Sequence, residues 1–219
     1  MTEKEIHTIC DKYRIKNYAI NNDMSIDVVD NILLQRENLN EIPINFNIVY
    51  GDFICSDNNL KSLKGCPKYV SKNFDCHNNQ LEILKHSPEY VGYSYNCGLN
   101  NLKSLNHTPK KVSDLYCNDN QLKSFEYCPD IKYNLEIEHN NIKTFNFFPN
   151  VGHNIVFYDN SINELWVLFK SRDYIDYFNE LDIIQQDGEV VILDRLNYFL
   201  TDIGKKEVKK DDIKKYIVK

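Results

Sequence analysis

Cys76 and His77 are adjacent, and they are the residue types from which a thiolate–imidazole dyad is made. Neighbours on an extended strand point to opposite faces, so this pair predicts no shared proton. Glu136, Glu138 and His139 gather two carboxylates and an imidazole, the groups used in general acid–base work. As outward residues of a strand these carboxylates lack the burial that shifts a pKa, and no paired nucleophile or oxyanion donor accompanies them. Asp57, Asp119 and Asp159 could form a calcium ladder, but the equivalent positions hold Asn78, Leu99 and His139, which breaks the oxygen set. The seven cysteines contain no C-x-x-C pair and show neither a disulfide framework nor zinc spacing. These residues predict no catalytic site, no metal and no cofactor.

What positions them is a repeat. Asn58, Asn79, Asn100, Asn120, Asn140 and Asn160 each precede a branched aliphatic by two residues: Leu60, Leu81, Leu102, Leu122, Ile142 and Ile162. Five residues before that aliphatic stand Cys55, Cys76, Cys97, Cys117, Ile137 and Phe157, an exchange of types that marks an interior position. Val49, Val70, Val91, Val112, Ile131 and Val151 open the units, followed by Phe53, Phe74, Tyr95, Leu115, Leu135 and Ile155. Pro67, Pro88, Pro109, Pro129 and Pro149 punctuate the return at spacings of 21, 21, 20 and 20. Alternation in F-x-C directs Phe and Cys inward, so each unit offers one short strand to a parallel sheet. Asn then turns the chain, and its amide donates to and accepts from backbone groups that would otherwise be buried unpaired. Proline has no amide to donate and suits an irregular convex side.

This unit resembles the leucine-rich repeat, whose L-x-x-L-x-L-x-x-N-x-L core matches F-x-C-x-x-N-x-L with Cys in one aliphatic slot. The likeness covers roughly residues 28–165, and the short period is similar to the compact repeats of some bacterial effectors and of proteins encoded by large tailed bacteriophages. It implies an α/β solenoid of short parallel strands whose business is protein binding. Some effectors of this type carry a ubiquitin ligase domain with a catalytic cysteine. No Cys follows Cys128 here, so the segment after the repeats lacks that chemistry.

The ends differ from the middle. Residues 1–27 predict an N-terminal cap, with Ile6, Ile9, Cys10 and Tyr13 at helical spacing and a hairpin turning at Asn21 to Ser25. Residues 28–165 are the repeats; the first is degenerate, keeping Val28, Ile32, Leu34, Leu39 and Ile42 while Glu37 replaces Asn. Residues 166–219 predict a helical cap, with Trp166, Phe169, Ile175, Phe178 and Leu181 on one face and Val191, Leu193, Leu196, Phe199 and Leu200 on another. The tail KKEVKKDDIKKYIVK is expected to be a solvated charged face.

Composition narrows the function. A chain of 219 residues with 42% hydrophobic residues folds, and a net charge of −6 argues against nucleic acid as the partner. The charged start MTEKEIHTIC and the lack of an apolar run of about 20 residues point to a soluble protein of the cytoplasm, the host cytoplasm if the source is viral. Among the outward strand residues Asp52, Ile54, Asp75, His77, Asn96, Asp114, Tyr116, Glu136, Glu138, Val156 and Tyr158 there is no Lys or Arg. All Lys of residues 50–165 fall on the turns and the convex side. Tyrosines among acids suit a protein partner with a basic surface. The flat patch is only about 300 Å², below the roughly 800 Å² per partner of a standard interface, so loops or flanks must add area. The look-alikes extend this expectation to a phage-encoded inhibitor or modulator of a host protein. The alternative is an assembly component that self-associates through its ends or helical cap.

Overall fold

The computed structural model describes residues 1–219. Helix α1 (Glu3–Lys12) starts at a reciprocal cap, in which Thr2 Oγ1 accepts from Glu5 N–H while Glu5 accepts from Thr2 N–H at 2.7 Å. It buries Ile6 and Cys10. Strands β1 (Tyr18–Ile20) and β2 (Ile26–Val28) form the antiparallel hairpin, and β2 then pairs in parallel with the array.

The array is a β-solenoid of about six turns with a repeat of about 21 residues. The coils are numbered 1 to 6 by Asn58, Asn79, Asn100, Asn120, Asn140 and Asn160. One wall is a seven-stranded parallel sheet made of β3 (Ile32–Leu33), β5 (Phe53–Ile54), β7 (Phe74–Asp75), β9 (Ser94–Asn96), β11 (Asp114–Tyr116), β13 (Leu135–Glu136) and β14 (Ile155–Val156). The opposite wall carries β4 (Phe46–Val49), β6 (Tyr69–Val70) and β8 (Tyr90–Val91), joined to β2, and then a separate pair, β10 (Lys111–Val112) and β12 (Asp130–Ile131).

That second wall corrects the expected α/β solenoid with one strand per coil and an irregular convex side. No helix lies between β3 and β14. In Tyr69–Val70 and Tyr90–Val91 the tyrosine is exposed and the valine buried, which is the two-residue alternation of a strand. The wall breaks between β8 and β10 because coil 4 is short at its corner. Gly92, Tyr93 and Ser94 separate Val91 from Tyr95, whereas only Ser113 and Asp114 separate Val112 from Leu115. Leu115 stays in register with Tyr95 on the seven-stranded sheet, so the missing residue is taken from the other wall.

Each ladder asparagine closes the gap between coils. Asn100 Nδ2 donates to the carbonyls of Cys76, Cys97 and Gly98 at 3.1 to 3.2 Å, and its Oδ1 accepts from Leu81 N–H at 3.0 Å. Asn79 and Asn120 repeat the pattern one coil to either side. The residue before each ladder asparagine has positive φ: Asp57, Asn78, Leu99, Asp119, His139 and Asp159. Asp and Asn tolerate this left-handed conformation, which explains the partial aspartate ladder without any metal.

The C-terminal segment is mixed rather than purely helical. Helices α2 (Asn163–Phe169), α3 (Ile175–Glu180) and α4 (Leu193–Asp202) accompany a three-stranded sheet of β15 (Ile184–Gln185), β16 (Val190–Val191) and β17 (Ile217–Val218). Val191 therefore lies on a strand, not a helix. Nor is the tail a merely solvated face. Ile213 and Tyr216 are buried, Tyr216 Oη donates to Ser161 O at 3.0 Å, and Lys215 N–H donates to Glu164 at 3.0 Å. Phe145 of coil 5 packs edge-on against Phe169 and Phe178, so the segment and the array share one core. No helix is long and apolar enough to cross a membrane.

Candidate functional site

The strand registers align one outward row across all seven strands: Leu33, Ile54, Asp75, Asn96, Tyr116, Glu136 and Val156. Two residues earlier runs Asp52, Asn73, Ser94, Asp114, Asn134 and Asn154. Two residues later runs Ser56, His77, Gly98, Asn118, Glu138 and Tyr158. The eleven residues expected at a partner site thus share one face, but their carboxylates are in different states.

Most acids of the face already have partners. Asp52 accepts from Asn73 N–H and Nδ2 at 3.0 and 2.8 Å, and Asp114 accepts from Asn134 Nδ2 at 2.6 Å and from Ser94 Oγ at 3.3 Å. These bonds run from coil to coil and make a second ladder. Asp75 holds His77, with Oδ1 2.8 Å from Nδ1. Asn78 first, and the Arg36 guanidinium after it, keep the Asp57 carboxyl below the ordinary range. Bonding within the array accounts for these four carboxylates.

Glu136 and Glu138 are different. Glu138 is only 7% exposed, which corrects its expected place as an open surface carboxylate. Its Oε2 is buried with no hydrogen-bond partner, and no ion pair reaches either glutamate. Asn118, the neighbour of Glu138 in the row, donates its amide instead to Asp119 at 2.7 Å. Burial raises the Glu136 carboxyl above the ordinary range, and the charges of Glu138 and Asp114 raise it further. Sequence reasoning denied Glu136 a shifted pKa because the strands that flank it, β11 and β14, come from other coils. Burial also raises the Tyr116 phenol, again with Asp114 and Glu136 contributing. Tyr158 is half exposed at the rim, its ring edge-on to His139 at 5.1 Å.

Elsewhere the chemistry is closed off. Burial pushes the thiols of Cys66, Cys76, Cys97, Cys117 and Cys128 well above the usual cysteine range, so none is a ready thiolate. No group of three or more His, Cys, Asp or Glu is placed to hold a metal ion. A cleft of about 780 Å³ lies between coils 5 and 6 and the C-terminal segment, and Lys143, Asp159, Glu189 and Lys215 line it with both signs of charge.

One surface escaped sequence reasoning. Tyr50, Tyr69 and Tyr90 stand exposed along the second wall, with the Tyr69 and Tyr90 rings stacked at 4.6 Å. The signal was the Tyr-Val dipeptide at Tyr69 and Tyr90, recurring in the column taken for a convex loop. A comparison with family models finds none that matches the chain, and a comparison with curated proteins finds no significant relative.

Proposed function

We propose that this chain is a non-enzymatic protein-binding module of the leucine-rich-repeat kind, with the C-terminal half of its seven-stranded face as the docking surface. Support comes from one observation above the rest. Glu136 and Glu138 have no donor of their own, although every other acid on the face is held by a neighbour. A pair of unneutralised carboxylates flanked by Tyr116, Val156 and Tyr158 suits a partner with a basic surface. A second reading, self-association, draws on strand β3, a sheet edge beside which Leu33 and Val29 are exposed.

Affinity capture separates these readings. The wild type is compared with a Tyr116→Ala, Glu136→Lys, Tyr158→Ala variant and with a Tyr69→Ala, Tyr90→Ala control on the opposite wall. The face reading expects a partner held by wild type and control but lost from the face variant. Loss from the control alone would transfer the site to the tyrosine wall. Concentration-dependent oligomers by light scattering, with no partner, would favour assembly.

A further inference from the structure

We propose that the coil 5 face is a seat for one arginine side chain of a protein partner, its guanidinium bonded to Glu136 and Glu138 beside the rings of Tyr116 and Tyr158. The inference rests on the protein-binding reading and names the group that reading requires.

Glu138 Oε2 carries the argument. A carboxylate oxygen that is buried without a donor is costly, and the cost falls when a donor arrives from outside. That donor is a cation, because Glu138 and Asp114 lie close enough to Glu136 to disfavour its ionised form, which leaves the site negative. A metal ion fits poorly, since no third ligating side chain converges there. Between the two organic cations, geometry favours guanidinium. Glu136 and Glu138 project from the same face two residues apart, about 7 Å along the strand. A planar group with five N–H donors can bond both, whereas an ammonium is compact and gives up more hydration. The tyrosines stand at opposite corners of this pair. Tyr116 is level with Glu136 on coil 4, and Tyr158 follows Glu138 on coil 6. Either ring can lie against a guanidinium plane. The exposed part of Tyr158 and half-buried Val156 continue the row, giving apolar contact to the chain that carries the arginine.

The test is a titration of the intact ¹⁵N-labelled chain, followed by amide chemical shifts, with the capped tripeptides Gly-Arg-Gly, Gly-Lys-Gly and Gly-citrulline-Gly and with Ca²⁺. The arginine peptide is expected to move the amides of Tyr116, Glu136 to His139 and Tyr158, and to saturate about fivefold tighter than the lysine peptide. Citrulline, which has the shape without the charge, is expected to move none of them. Glu138→Gln keeps the side-chain shape and should weaken the arginine peptide by about fivefold. Tyr158→Ala, at an exposed ring, should weaken it by about threefold. Absence of shifts at these amides, equal shifts with citrulline, or tighter binding of Ca²⁺ at the same amides overturns the proposal. Capture of a partner that survives Glu138→Gln but is lost with the face variant would sink the arginine seat and leave the binding face standing. Loss of the seat together with no captured partner would sink both.

Discussion

Coils 1 to 3 and coils 4 to 6 are spelled with one repeat but packed in two ways. In the first half the inward strand position carries a ring in every coil, and Phe53, Phe74 and Tyr95 stack at 5.8 and 5.2 Å. Tyr95 keeps its hydroxyl bonded to Ser87 at 2.7 Å, so even the polar member is satisfied. In the second half that position shrinks to Leu115, Leu135 and Ile155, and the aromatic volume moves past the asparagine to Phe125 and Phe145, which meet Phe157 and Trp166. Outside, the division falls one coil later. Asp52, Asp75 and Asp114 of coils 1, 2 and 4 are bonded by their own chain, whereas Glu136 and Glu138 of coil 5 are not. A repeat therefore constrains backbone closure at the asparagine, while bulk and charge can migrate between columns.

Truncating one ring in each half gives the largest test of this contrast. Phe74→Ala and Phe145→Ala should each cost about 4 kcal/mol, the usual penalty for deleting a buried phenylalanine. They should differ in where protection from hydrogen exchange is lost. Phe145→Ala should release residues 166–219 first, because its ring bridges the array to Phe169 and Phe178. Equal, whole-molecule loss in both variants would mean that the two halves are one cooperative unit.

A smaller effect is expected at Leu99, which holds the left-handed position that Asp119 holds in the next coil. Leucine is a poor occupant of positive φ, and Leu99 is half exposed, so Leu99→Asn should raise stability by about 1 kcal/mol in chemical denaturation. Asp119→Leu should lower it by a similar amount. Unequal responses would show that the 21-residue and 20-residue coils strain this turn differently.

The array was legible because Asn, Cys and Leu recur in register, and each of those columns reflects a backbone demand met in every coil. The second wall was less so. After β4 its strands are two residues long, too short for alternation to stand out, and only Tyr69 and Tyr90 repeat the same outward type. In the tail, lysines and aspartates surround Ile213 and Tyr216 and hide two anchors among charges. The row neighbours of Glu138, Asn118 and Tyr158, lie 20 residues away in either direction, which no local pattern reports.

The smallest effect tests the charge contrast. In the folded chain Glu136 titrates above its ordinary value, so its charged form is disfavoured. The penalty is complete above the folded pKa and disappears as pH falls toward the unfolded one. Glu136→Gln should therefore add about 0.5 kcal/mol near neutral pH, and the gain should fade as both states of the wild type take up the proton. Asp52→Asn, at a carboxylate already held by Asn73, should show no such gain.

The asparagine ladder also bears on how such a molecule changes length over generations. Each asparagine amide completes the coil before its own, as Asn79 does for Leu60 and Asn100 for Leu81. Duplication of a whole stretch from one asparagine to the next restores every bond at the new junction. Loss of a fragment of that stretch leaves an orphaned amide in the interior. Heritable growth is thus quantised in whole coils, and a lineage can widen the seven-stranded face by one strand at a time without redesigning the core.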